Sequence, residues 1–402
     1  SMDITKVQAV VDNILTTTGY FDYQVNSTDV AGVTFNNLSG TQTLTLKQAD
    51  GYELKALVSA GNITLMDTYA SKVDIIDLRS LTTVTSISDS ASHTLDFTSA
   101  TEVHLTALDY YAGGNLTINT KKGAILDISS LSDTNTSSVV SPFTLTINGP
   151  ISVDISKIAG DAGAASASRG AISLTDVPTV KVSNFGGNIT LGDGVVTATL
   201  EDVANDVTLT AAADLTTLSI EGVSDYGKTW STAGTTNQAA ALYTANLPDV
   251  AITSTNNDLE TLTLTGKFNT VSAVSVPALQ TVTLNASIGD LDLDSNGDLV
   301  EVTTTGSTIN DIYFNNNDDI IDLTLDYDLY TTVVASTGTA DAKGDLDVTG
   351  NAKLASLIVN TTKLNDLDID NNPKLATVSF PNLGAAGIGT TPDVDIFAKF
   401  KK

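Results

Sequence analysis

Carboxylates beside short apolar alternations are the residues with most chemistry to offer in this chain. Aligned on the pattern L-x-x-L-x-L, successive segments begin at Leu279, Ile288, Leu299, Ile309, Ile320, Leu329, Gly344, Leu354, Leu364 and Leu375. Taking alternate segments as one face stacks Glu301, Asp322, Asp345 and Asp366 in a single column. Neighbouring parallel strands lie roughly 4.8 Å apart, and like charges at that spacing repel. Solvent and salt, raised pKa values, or a hard cation with oxygen ligands such as Ca²⁺ would relieve the repulsion. Two readings therefore stand for the column: a solvated acidic face, or a Ca²⁺ site. A second candidate is Asp292, Asp294 and Asn296, the start of a D-x-D-x-N-G calcium loop. Its twelfth position is Thr303, where such a loop needs a bidentate Glu. Asp292 and Asp294 also alternate with Leu291 and Leu293, as the exterior of a strand would.

Other chemistries are thinly supplied. His93 and His104 are the only histidines, and two imidazoles without a third ligand do not make a zinc site. There is no cysteine, which removes disulfides, thiolate metal sites and cysteine nucleophiles. A β-helical polysaccharide lyase would use Asp, calcium and a basic residue, but the only arginines, Arg79 and Arg169, are far in sequence from the acidic column. The chain is expected to be no enzyme, with a calcium-assisted polysaccharide lyase or hydrolase as the alternative. T-x-T pairs (Thr43/Thr45, Thr144/Thr146, Thr208/Thr210, Thr263/Thr265) are not expected to recur on adjacent strands in one register. Tyr110, Tyr111, Tyr313, Tyr327 and Tyr330 are the candidate platforms for stacking a sugar.

The elements that hold these groups read as strands. Each apolar triplet alternates with period two and is followed by Asn, Asp, Gly or Pro, which favour turns and left-handed backbone. Two such strands make a coil of 20 to 23 residues, too interrupted for helix. The N-terminal half repeats the texture (TLTLKQADG from Thr43, FTLTINGP from Phe143, NITLGDG from Asn188), with ejected loops expected at 159–170 and 226–245. Asp3 to Leu15 has apolar residues at helical spacing and predicts a short helix capping the first coil. The 402 residues carry a net charge of −28, and only 16% are charged. Nucleic-acid binding through a basic face is excluded, since phosphate affinity needs Lys and Arg. No run of about 18 apolar residues is present, so no membrane-spanning helix is expected.

The segment Asp366-Leu367-Asp368-Ile369-Asp370-Asn371-Asn372-Pro373-Lys374-Leu375, with Val378, Phe380, Pro381 and Leu383 after it, resembles the repeat of receptor L-domain and leucine-rich-repeat-like surface proteins. Val274 to Leu284 is similar, and the resemblance is clearest over about 255–385. It implies an all-β, elongated right-handed parallel β-solenoid on a cell exterior, and it brings no catalytic residues. The expected organisation is a capping helix at 1–20, an irregular solenoid at 21–255, a regular 10–11-residue repeat at 256–385, and a C-terminal cap or tail at 386–402. The expected function is an extracellular or cell-surface structural or adhesion protein of S-layer, filament or adhesin type, with a trimmed export signal. Its expected partners are copies of itself, or a surface glycan or protein.

Overall fold

The computed structural model describes residues 20–22, 43–46, 52–53, 59–65, 75–77, 83–88, 93–98, 101–104, 109–110, 115–128, 132–133, 144–156, 171–183, 185, 187–203, 207–209, 212–222, 247–253, 258–329, 344–383 and 388–395. All regular structure among them is β, with no helix. The expected capping helix and both expected loops lie outside the described residues, as do Arg79 and Arg169. The chain divides into two compact units, residues 1–190 with 230–238 and residues 191–229 with 239–402, so the change of texture near 255 falls inside the second unit.

In the first unit the T-L-T-I and T-L-T-L segments form parallel ladders. Leu116–Asp127 pairs through its first half with His93–Phe97 and Thr144–Pro150, and through its second half with Glu102–His104. Leu116, Leu145 and Ile172 stack in one buried row and Ile118, Ile147 and Leu174 in the next, so the period-two alternation becomes a continuous core. His93 and His104 begin and end strands that meet different halves of Leu116–Asp127, and so are not ladder neighbours. A separate parallel sheet runs Tyr20–Asp22, Thr43–Leu46, Ser59–Leu65, Thr83–Ser88.

In the second unit the chain alternates between two parallel ladders. The Thr ladder contains Thr197–Val203, Thr217–Gly222 and the first halves of Thr261–Ala273 and Thr281–Asp292, followed by Glu301–Thr303. It resumes with Asp322–Leu329, Ser356–Asn360 and Thr377–Ser379. The Asp ladder contains Val207–Leu209, Val250–Ile252, the second halves of the two long strands, Ser307–Tyr313, Asp345–Asp347, Leu364–Asp368 and Ile388–Asp395. That last strand lies in the segment expected to be a cap or tail. Thr261–Ala273 passes from one ladder to the other at Gly266, whose φ is +85°. A Cβ there would collide with the carbonyl oxygen of Gly222, so only glycine lets the two strands approach.

The expected register is corrected at one point. In the register implied by stacking alternate segments, Val282 pairs with Val302, as found, but 323–325 does not share a ladder with 346–348 and 367–369. Leu323 pairs with Leu357, whereas Leu346 pairs with Ile312 and Leu367. The expectation counted the segment from Leu329 as a strand of the repeat. The described strand instead ends at Leu329, and the next, Asp345–Asp347, returns to Ser307–Tyr313. Counting one strand too many moved Asp345 and Asp366 to the wrong ladder.

Candidate functional site

The corrected register breaks the expected column into two and builds a longer one. Glu301 pairs with Thr281 in the Thr ladder, and Asp322 pairs with Ser356. In the Asp ladder Asp290 pairs with Asp311, and Asp345 pairs with Asp366, which pairs with Asp393. Asp311 and Asp345 are joined directly, because Asp311 Oδ1 accepts the N–H of Gly344 at 2.9 Å and of Asp345 at 3.1 Å. The next outward column is Asp292, Tyr313, Asp347 and Asp368. Asp294, Asn315, Thr349 and Asp370 follow at the strand ends, linked rung to rung through backbone bonds beside them.

Asn and Thr inserted between the carboxylates bear much of the repulsion. Asn315 donates its backbone N–H to Asp294 Oδ1 at 2.7 Å, and its Nδ2 to Asp347 Oδ2 at 3.2 Å. The Thr349 N–H and hydroxyl both donate to Asn315 Oδ1 at 2.8 Å. Donors to a carboxylate make stronger hydrogen bonds than donors to a neutral acceptor, so the two Asn315 bonds offset repulsion among the acids. Asp347 is the exception. Its Oδ1 is buried with no hydrogen-bond partner among the described residues. Burial, then the Asp368 and Asp294 charges, push its carboxyl above the usual Asp range, against the bonds from Asn315 and Thr349. Burial and the Asp294 charge likewise raise Asp292. Tyr313, part-exposed among these acids, is raised by burial first and then by Asp311, Asp345, Asp290 and Asp347.

The D-x-D-x-N-G segment proves to be one copy of a repeated corner. Ser295, Asn316, Gly350 and Asn371 take positive φ at the same place in successive rungs, and Asn296, Asn317, Asn351 and Asn372 follow them. Each Asn Oδ1 accepts a backbone N–H from the rung before: Val276 to Asn296 at 2.9 Å, Asn296 to Asn317 at 2.9 Å, Asn317 to Asn351 at 2.8 Å, Asn351 to Asn372 at 2.9 Å. Asn296 Nδ2 donates to the Ala273 carbonyl at 2.8 Å. The Asn296 carboxamide is therefore committed to the backbone, apart from the carboxylates of Asp292 and Asp294. Among the described residues no group of three or more His, Cys, Asp or Glu side chains is disposed to hold a metal ion.

Two further expectations are corrected. Threonines do recur on adjacent strands in one register: Thr197, Thr217, Thr261 and Thr281 form one column, and Thr199, Ser219, Thr263, Thr283 and Thr303 the next. Sequence reasoning missed this because the strands are separated by unequal insertions. Tyr327 is not a stacking platform, being 3% exposed in the core. Tyr313 keeps an exposed ring, while Tyr111, Tyr330 and the side chain of Tyr110 lie outside the described residues. Among the described residues no helix is long and apolar enough to cross a membrane.

Compared with family models, curated proteins and solved structures, the chain matches none of them.

Proposed function

We propose that this chain is a non-enzymatic extracellular or cell-surface structural protein, a right-handed parallel β-solenoid of the leucine-rich-repeat and L-domain kind that serves as spacer and contact surface. The observation that carries this reading is how the polar side chains of the second unit are used. Asp311, Asn315, Thr349 and the corner asparagines bond to neighbouring strands, as do Asp294 and Asn296 from the candidate calcium loop, so these polar groups hold the ladder together. An acid–base pair for glycoside cleavage needs two carboxylates facing a substrate from opposite sides. Here the carboxylates of the Asp ladder line one face of one sheet, in register.

The test is antibody labelling of intact and permeabilised producing cells, together with incubation of the purified protein with acidic polysaccharides in calcium buffer. Equal labelling of both cell samples and no release of reducing ends support the reading. Labelling only after permeabilisation overturns the surface assignment, and release of reducing ends overturns the non-enzymatic one.

The in-register threonine columns favour one alternative, a carbohydrate-binding face. Short hydroxyls in a flat array can bond to sugar hydroxyls without large entropic loss. Retention on a glycan array that disappears in the Thr263→Val, Thr283→Val double variant would select it.

A further inference from the structure

The corner asparagines of the second unit fix which side chains stand beside one another just past the corner. Asn296, Asn317, Asn351 and Asn372 are bonded rung to rung. The same tight turn follows three of them, with Leu299, Leu354 and Leu375 returning their N–H to the corner carbonyl at 3.2, 3.3 and 3.1 Å. Two residues after each corner stand Asp298, Asp319, Lys353 and Lys374, so this column reads acid, acid, base, base. Asp298 and Lys374 are exposed, and Asp319 and Lys353 form a solvent-accessible ion pair.

Two residues further on, the next column is Val300, Ile321, Ala355 and Ala376. Val300 and Ile321 are each 54% exposed, and the N–H groups of Ala355 and Ala376 bond to the carbonyls of Ile321 and Ala355. Beside it run Glu301, Asp322, Ser356 and Thr377, with Asp322 paired to Ser356 and Ser356 to Thr377. Each column therefore changes character between its second and third members: acid to base, large apolar to methyl, carboxylate to hydroxyl. The preceding rung has Ala278, Gln280 and Thr281 at these positions and carries no charge, so the pattern begins at Asp298. Exposed apolar side chains rimmed by polar groups mark a contact surface.

The pattern is complementary to itself. A two-fold axis parallel to the strands, passing between the Ile321 and Ala355 rungs, lays a second copy's strip on the first in reverse rung order. Asp298 then faces Lys374, and the Asp319–Lys353 pair meets its own reverse in a ring of alternating charge. Val300 lies on Ala376 and Ile321 on Ala355, large on small. Glu301 faces the Thr377 hydroxyl and Asp322 the Ser356 hydroxyl, both able to donate. Parallel strands repeat at about 4.8 Å, so one axis brings all these pairs into register. In a chain of net charge −28, these three columns set no carboxylate against another.

We propose that this strip is a two-fold contact between two copies of the chain, centred between Ile321 and Ala355. Such a contact is isologous, the same patch serving both partners. It rests on the structural reading above and specifies how copies join. A strip three columns wide and about 15 Å long falls short of the roughly 800 Å² per partner of a standard stable interface, so the dimer is weak and reversible.

Sedimentation velocity over a range of concentrations tests the pairing, at about 0.15 M salt, where a Debye length of about 8 Å damps the general repulsion between copies. The variants are Asp298→Lys and Lys374→Glu, both at exposed positions, with circular dichroism melts confirming that each folds. Each variant alone sets like charges against one another, whereas an equimolar mixture of the two restores opposite charges at both ends of the strip. The expected result is a wild type that dimerises, single variants several-fold weaker, and a mixture that regains association. Single variants that dimerise like wild type overturn the proposed register. Weakening that the mixture does not reverse overturns the pairing of Asp298 with Lys374 across copies. A wild type monomeric at every concentration overturns the proposal outright, while cell labelling decides the structural reading independently.

Discussion

Asp347 sets the sharpest expectation at the scale of single residues. Its carboxyl is held above the usual Asp range, by burial first and then by Asp368 and Asp294. A carboxyl raised in the fold binds its proton more tightly there than in the unfolded chain. The stabilising contribution is complete below the unfolded value and is lost as pH rises through the folded one. At neutral pH the ionised group is therefore a net cost, and Asp347→Asn should raise the melting temperature at pH 7. The gain should shrink as pH falls toward 4, the unfolded range of Asp. Melts of both proteins across that range check it, and a variant less stable than wild type at pH 7 would overturn the assignment. Leu367 gives the opposite case. It is 4% exposed and stacks on Leu346, so Leu367→Asp should cost about 3 kcal/mol or more through an unpaired buried charge. Denaturant titration beside an exposed control such as Thr362→Asp measures the difference.

At the scale of elements, the strands were legible from alternation alone, because each outward polar residue sits between two buried ones in the same triplet. The partner of each strand was not, since period two says which face a residue takes but nothing about which strand lies beside it. The signal that would have supplied the register is the corner asparagine. Bonded Asn pairs are separated by 21 residues at Asn296/Asn317 and at Asn351/Asn372, but by 34 at Asn317/Asn351, an excess of 34 − 21 = 13 residues. That excess marks an insertion in one rung, and reading it would have placed Asp345 beside Asp311 instead of Asp322. The corner also carries energy. Asn351 is fully buried, accepts the Asn317 N–H and donates to the Phe314 carbonyl at 3.0 Å. Asn351→Ala leaves both backbone groups buried and unpaired, at about 1–3 kcal/mol each. Asn371→Gly, at an exposed corner position of positive φ that Gly350 fills one rung earlier, should change stability by less than about 1 kcal/mol. Equal losses in the two variants, measured by urea unfolding, would show that the corner is held by backbone conformation and the carboxamide ladder contributes little.

At the scale of the whole molecule the charge of −28 and the corrected Asp column act together. Asp290, Asp311, Asp345 and Asp366 stand in successive strands at about 4.8 Å spacing, where two unit charges in water repel by on the order of 1 kcal/mol. Salt should therefore stabilise this protein, most steeply below about 0.1 M, where the Debye length exceeds about 10 Å. Removing one charge from the middle of the column, as in Asp345→Asn, should raise the melting temperature at low salt and lose that advantage at high salt. The identity of the cation separates two causes. Screening acts through ionic strength, so NaCl and CaCl₂ matched in ionic strength should shift the melt alike, because Asn315 and Thr349 already supply donors among the carboxylates. A calcium-specific gain that vanishes in Asp347→Asn would instead assign an ion to the unpartnered Asp347 Oδ1, with Asp294 and Asp368 beside it. A calcium-specific gain retained in that variant would place the ion elsewhere. Melts of wild type, Asp345→Asn and Asp347→Asn in chelator, NaCl and CaCl₂ distinguish these outcomes. If Asp345→Asn keeps its advantage at high salt, repulsion within the column is not what the substitution relieves.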